Sequence, residues 1–413
     1  MNGTRMELMA PAGSFEALAA AAKAGANSVY FGVEQLNMRT KSTHNFTLDD
    51  LEAIVCVCRK HNMKSYLTLN TIVYDHDINL MKRIVDACKE HGVTAVIASD
   101  HAVMNYARKI GMTIHISTQS NITNIDTVEF YAIYADVMVL SRELSLLQVE
   151  AINKEIQRRG ITGPSGELVR TEIFGHGALC MAVSGKCYLS LHSNFSSANR
   201  GACVQNCRRS YIVTDKDEGI EFEVDNEYIM SAADLCTIDF LDKIEAAGVS
   251  VLKIEGRGRS ADYVYTTTKC YREAIDALAD GTYFADRFEN WRERLSTVFN
   301  RGFWDGYYLG RKMGEWSDNP GSKATKRKVY IGKGMKYYEM AGIGEFLIEA
   351  QGVKVGDELL ITGPTTGVIE TVLTTMRADN VPVEHVKRGV TITFPVNEKI
   401  RPSDKLYKLV SVQ

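Results

Sequence analysis

No run of eighteen or more apolar residues occurs in the chain, so no helix of bilayer-spanning length is expected. The opening residues, MNGTRMELMAPAG, hold no long apolar core of the kind that marks a secretory signal. Both absences make the cytoplasm the expected compartment, where thiols stay reduced. The nine cysteines then read as core residues, metal ligands or catalytic groups rather than a disulfide frame. Also missing are G-x-G-x-x-G, H-E-x-x-H and G-x-S-x-G. Their absence removes the common dinucleotide loop, zinc-peptidase helix and nucleophile elbow. A Cys/His nucleophile pair survives this filter, because its members meet only in space.

Charge in excess is missing too: the net value is −3 over 413 residues, which selects no partner. Its distribution says more. From Lys323 onward there are fourteen Lys and Arg against ten Asp and Glu, while the rest has 34 against 41. A mildly basic tail module can meet a polyanion, or can be a solvated surface.

What is present, over the first 280 residues, is an eightfold alternation of short apolar runs with amphipathic stretches. ELMAPA (7–12) precedes SFEALAAAAKAG, where Ser14 can cap the helix and Gly25 can end it. SVYFGV, SYLTLNT, TAVIASD, TIHISTQ, DVMVLSRE, VRTEIFGHG and SVLKIEGR come next as further strand candidates. The fold class expected is α/β, a (βα)8 barrel over residues 1–281, with a Cys-rich insertion from about Ala178 to Met230 after the seventh strand. Residues 282–322 read as a helical extension and linker that runs into SDNPGSKATKRK. Residues 323–413 read as a small antiparallel β-barrel, its short β-rich runs set between Gly, Pro and Asp turns.

In such a barrel, reacting groups come from the strand C-termini and the loops after them. The candidate acid–base groups there are Glu172, His176, Lys253 and Glu255. The candidate substrate contacts are Asn70, Gln119, Arg142, Arg200 and Arg257. KIEGR sets Lys253, Glu255 and Arg257 on one strand face. Two readings stand: a grip on a small dicarboxylate, since guanidinium forks match carboxylates, or an internal salt-bridge network. Phe31, at the end of the second strand candidate, can face the mouth or pack in the core.

Five thiols fall within sixty residues: Cys180, Cys187, Cys203, Cys207 and Cys236. Cys203 and Cys207 form C-x3-C, a looser spacing than zinc pairs favour, and one that suits iron–sulfur ligation at least as well. Cys236 is read as opening the helix before the last strand. Cys56, Cys58, Cys88 and Cys270 lie in expected helices and read as core.

EIFGHGALCMAVSGKCYLS, NRGACVQNCRRSY, DLCTIDFLDKIEAAGVSVLKIEGRGRS, NRGFWDGYYLG and LMAPAGSFEALAAAAKAGANSVYFG resemble the sequence blocks of the collagenase-like peptidases, the peptidases of unknown type, family 32. The resemblance covers about residues 6–320, and the basic module after it resembles that family's C-terminal domain. The layout is closest to the family's tRNA-hydroxylation branch. It implies an enzyme that hydroxylates tRNA wobble uridine to 5-hydroxyuridine without oxygen. Prephenate is the implied hydroxyl donor, and a [4Fe–4S] cluster the implied cofactor. It also implies Cys180, Cys187, Cys203 and Cys236 as ligands, with Cys207 in reserve, and tRNA, with a paralogous subunit, as partners. The same resemblance carries an alternative, a collagenase-like peptidase. A non-catalytic RNA-binding accessory is the third reading.

Overall fold

The computed structural model describes residues 6–40, 45–209, 211–224, 231–310 and 321–412. The end of the expected insertion (225–230) and the start of the expected linker (317–320) lie outside the described residues.

Eight parallel strands close into a barrel. They are β1 (Glu7–Pro11), β2 (Ser28–Phe31), β3 (Lys64–Leu69), β4 (Ala95–Ala98), β5 (Ile114–Ile116), β6 (Val137–Val139), β7 (Arg170–Ala178) and β8 (Val251–Ile254). Each pairs with the next, and β8 pairs with both β7 and β1, so no barrel edge is left open. The helices around them are α1 (Phe15–Lys23), α2 (Leu51–Lys60), α3 (Ile78–His91), α4 (His101–Lys109), α5 (Ile125–Ala132) and α6 (Leu146–Arg159). A short α7 (Leu189–Asn194) lies in the cysteine segment, and α8 (Leu241–Ala246), α9 (Ala261–Ala279) and α10 (Ala285–Ser296) complete the set. Among the described residues no helix is long and apolar enough to cross a membrane.

Local chemistry sets these boundaries. The Ser14 hydroxyl accepts from Ala17 N at the start of α1. Ser145 and Gln148 form a capping box at the start of α6, and Gly160, with φ +62°, ends that helix. Strand alternation divides the core in two. Leu8, Val29 and Leu67 face the helices. Met9, Tyr30, Tyr66, Ile97 and Val251 fill the barrel interior. Beneath that layer, Glu7 accepts from Tyr66 Oη at 2.7 Å and pairs with Lys64 at 2.6 Å. His115 is buried beside Tyr66, and burial pulls its pKa down to about 3, so it stays neutral.

Two features depart from a plain barrel. A short strand, Asp234–Cys236, runs antiparallel beside β7, with Cys236 opposite His176, and Phe303–Trp304 adds outside it. Cys236 therefore ends a strand; α8 begins only at Leu241. β7 also carries a bulge. Lys253 pairs with Phe174, yet the next residue, Ile254, pairs with His176. The extra residue, Gly175, reverses the facing of the β7 residues beyond it.

Residues 326–411 form an eight-stranded antiparallel sheet around Ile331, Phe346, Leu359, Ile392 and Leu406, with a small two-stranded sheet of Val353–Lys354 and His385–Val386 beside it. Lys326–Lys328, which close the linker-like run SDNPGSKATKRK, begin its strand Lys326–Tyr338. The sheet docks on the outside of α1 and α9 through Ala20, Ala261, Leu360 and Val368. Lys23 Nζ donates to Val368 O at 2.7 Å, and Lys328 pairs with Asp262. Gly367 has φ +69°, and a Cβ there would stand 3.1 Å from the α1 backbone.

Candidate active site at the barrel mouth

A cavity of about 500 Å³ opens at the C-terminal ends of the strands. β2 contributes Tyr30, β3 Thr68 with Asn70 just beyond it, and β7 Phe174. Lys253 on β8, with Glu255 and Arg257 after it, forms a second wall; Ser117, Gln119, Arg39 and Arg142 come from loops. The cysteine segment forms the roof with Cys180, Cys187, Cys203 and Cys207.

Cations dominate the lining: Arg39, Arg142, Arg208, Arg257, Arg259, Arg301 and Lys253 face one lining carboxylate, Glu255. Glu255 Oε1 lies 2.8 Å from Arg39 Nη2, and Oε2 accepts from Tyr30 Oη at 3.0 Å. Burial acts to raise the Glu255 pKa, but Arg39, Arg142 and the Tyr30 hydroxyl outweigh it and hold it at about 2. Lys253 Nζ lies 2.9 Å from Glu172 Oε1 and over the Tyr30 ring at 4.5 Å. Arg257 is gripped by Thr68 and Asn37, and burial pulls its pKa down to about 10, so it remains a cation at neutral pH. Arg142 stacks on Phe174 at 3.9 Å and reaches Ala178 O at a long 3.4 Å. Among the described residues its buried Nε has no hydrogen-bond partner. A guanidinium held by stacking, with donors to spare, is suited to an incoming carboxylate. Asn70 Nδ2 donates to Ser117 Oγ and Gln119 Oε1, both at 3.1 Å, which fixes these amides in the wall.

The segment holding the thiols is tied down by polar contacts. Arg200 pairs with Asp77 at 2.5 Å, donates to Ile72 O at 2.7 Å and stacks on Tyr74. Gly201, with φ +77°, comes so close to Asn37 O that a Cβ would be 2.1 Å from it. Arg208 donates to Leu179 O at 2.8 Å and to Ser231 Oγ at 2.9 Å. Burial lifts the Cys207 pKa, Arg208 opposes, and Cys180, Cys203 and Cys187 each add to the lift. Cys207 therefore lies within electrostatic reach of the other three thiols. Among the described residues no three His, Cys, Asp or Glu side chains stand at the spacing that holds a single metal ion. In kind and number, four cysteines on one wall match the donor set of an iron–sulfur centre.

The structure places several sequence candidates elsewhere. Cys236 is not among the cavity thiols. It is buried under Tyr271, whose hydroxyl lies 3.8 Å from Sγ, and burial pushes its pKa up to about 11. Cys207 occupies the cavity wall instead. His176, carried outward by the Gly175 bulge, is buried among Tyr263, Tyr271 and Phe303, with its pKa pulled down to about 3 by burial. Arg200 is an anchor outside the cavity lining. Glu172 does not line the cavity either but supports Lys253, and among the described residues its second oxygen, Oε2, has no partner. Phe31 packs edge-on against Phe46 in the outer core. Cys58, Cys88 and Cys270 are buried, but Cys56 is exposed on α2. Asn70, Gln119, Arg142, Lys253, Glu255, Arg257, Cys180, Cys187 and Cys203 do come together. Tyr30, Phe174, Arg259 and Arg301 are lining residues that sequence reasoning passed over. Alternation could have flagged three of them: Tyr30 precedes Gly32 by two, Phe174 comes two after Glu172, and Arg259 continues 253, 255, 257.

The profile of Peptidase family U32 matches residues 13–318. The chain is 55% identical over 408 residues to a collagenase of Porphyromonas gingivalis, covering 99% of each. It is 30% identical over 425 aligned positions to tRNA hydroxylation protein P1 of Bacillus subtilis, covering 99% of this chain and 97% of that one. It is also 30% identical over 324 positions to the 23S rRNA 5-hydroxycytidine C2501 synthase of Escherichia coli, covering 76% of this chain and 47% of that one. The motifs in the cysteine roof and along β8 thus sit inside a matched region of about three hundred residues, and the chain belongs to peptidase family U32.

Proposed function

We propose that this chain is an RNA-modifying enzyme that hydroxylates a tRNA base, wobble uridine, without oxygen, drawing the hydroxyl from the dicarboxylate prephenate. The observation that carries this reading is the joint presence of four thiols and seven cationic side chains around one cavity at the barrel mouth. A dicarboxylate suits the excess charge: Arg142 has donors to spare, and Lys253 and Arg257 line the same cavity. Glu255, ionised at neutral pH and held by Arg39 and Tyr30, fixes the orientation of the Arg39 guanidinium. Lys253 Nζ, 2.9 Å from Glu172 Oε1, lines the cavity where it can meet a bound carboxylate. An iron–sulfur centre on Cys180, Cys187, Cys203 and Cys207 would supply one-electron chemistry when bound. The names of the B. subtilis and E. coli relatives support hydroxylation chemistry.

The P. gingivalis relative's name favours a second reading, a peptidase. A thiol nucleophile needs a base within hydrogen-bond reach. Among the described residues no histidine lines the cavity, and His176 lies on the opposite side of β7. Geometry weighs against that reading. Mass spectrometry of tRNA nucleosides from a strain lacking the gene, with and without its return, tests the proposal. Loss of 5-hydroxyuridine and its derivatives, restored by wild type but not by Arg142→Gln, is expected; an unchanged nucleoside profile overturns it.

A further inference from the structure

The cysteine roof has a second face. Between Ala178 and Ile212 there are four Lys and Arg and no Asp or Glu. Helix α7 divides this segment. On its inner side Leu189 lines the cavity, and Ser190 is buried, with Oγ 3.9 Å from Cys203 Sγ and 3.1 Å from Val204 N. Its outer side carries Tyr188, Leu191 and Phe195, which are 70%, 37% and 94% exposed. The backbone bonds His192 N to Tyr188 O and Phe195 N to Leu191 O keep the turn helical, so residues 188, 191 and 195 share a face. Phe195 sits at φ +51°, a position that glycine or asparagine holds at lower cost. Met181 and Val183, about half exposed, extend the apolar surface, and Lys186 and Arg209 are exposed on the same segment.

Two exposed aromatic rings on a carboxylate-free, basic segment at the lip of a cavity match the recognition of unpaired nucleotides, in which bases stack on rings and phosphates meet cations. A folded protein partner would find apolar area here too, but nothing on this segment supplies the opposite charge a mixed protein interface uses. We propose that Tyr188 and Phe195 form a stacking platform for the unpaired bases of an RNA loop, holding neighbours of the nucleotide that enters the cavity. This rests on the RNA-modifying reading of the same site.

The test uses the full chain, purified without air, and fluorescence anisotropy with a labelled hairpin RNA bearing an unpaired loop, beside a blunt RNA duplex of equal length. Tyr188→Ala/Phe195→Ala should weaken hairpin binding about tenfold or more and leave the duplex unchanged. Tyr188→Phe and Phe195→Tyr should keep wild-type affinity, and Arg209→Gln should flatten the salt dependence. Equal hairpin affinity in the double alanine variant overturns the proposal. So does equal weakening for hairpin and duplex, or a sedimentation shift showing that the rings serve only self-association. If the double variant loses its melting transition, photocrosslinking of wild type to a 4-thiouridine loop decides: adducts mapping to 188–195 support the platform, and adducts only elsewhere overturn it. Failure of the hydroxylation reading would show in tRNA nucleosides, not in this binding assay, so the two are separable.

Discussion

Lys253 and Glu172 meet at 2.9 Å across β8 and β7, both shut off from solvent, while among the described residues the second oxygen of Glu172 meets no donor. Lys253 lines the cavity and Glu172 supports it from behind the lining. Replacing one member strands the other. Glu172→Gln should cost about 3–5 kcal/mol in urea denaturation, whereas Glu172→Leu with Lys253→Met should recover most of that stability while abolishing activity.

Glu255 makes acid sensitivity predictable. Its folded pKa, about 2, lies below the ordinary 4.5, so its contribution to stability is complete above pH 4.5 and is lost as the pH falls toward 2. The size is about 3 kcal/mol. Denaturation midpoints tracked across that window should fall less steeply for Glu255→Gln than for wild type, and parallel curves would show that the pair with Arg39 contributes nothing.

The thiols divide by exposure and burial. In the metal-free chain, brief iodoacetamide treatment at neutral pH and then peptide mapping should show the exposed Cys180 and Cys56 labelled first. Cys58, Cys88 and Cys270, pushed up to about 12 by burial, and Cys236, at about 11, should resist. After anaerobic reconstitution, serine at 180, 187, 203 or 207 should sharply lower bound iron, whereas Cys236→Ser should retain wild-type iron and colour.

Gly177 has φ +103°, and a Cβ there would lie 2.4 Å from Glu255 O. Gly177→Ala should therefore strain the backbone and displace the β8 end, lowering stability by about 1–3 kcal/mol. It should also weaken carboxylate binding, read by calorimetry with prephenate.

The barrel was legible because its strands are short apolar runs and its helices keep one buried stripe; Ser14 and Gly25 even mark the ends of one helix in letters. The cavity wall was legible where a side-chain period of two ran unbroken, as for Lys253, Glu255 and Arg257. It failed at His176, because the bulge at Gly175 adds one residue and reverses the facing beyond it; the lone glycine inside the strand run is the mark of that bulge, and strict alternation overlooks it. It failed at Cys236, because DLC pairs with β7 through backbone bonds that no local pattern announces. Arg200 was legible as a basic residue near thiols, but its partner Asp77 is over a hundred residues away in sequence. Arg301 reaches the cavity only because Phe303–Trp304 returns the chain to the edge beside β7.

The seating of strands 358–363 and 367–372 against α1 has a consequence for biogenesis. The first and last units of the ring, α1 and α9, are clasped from outside by a part of the polypeptide translated more than three hundred residues after α1. Ring closure on the ribosome must therefore proceed without this clasp, and full rigidity at the seam waits for the late sheet to arrive.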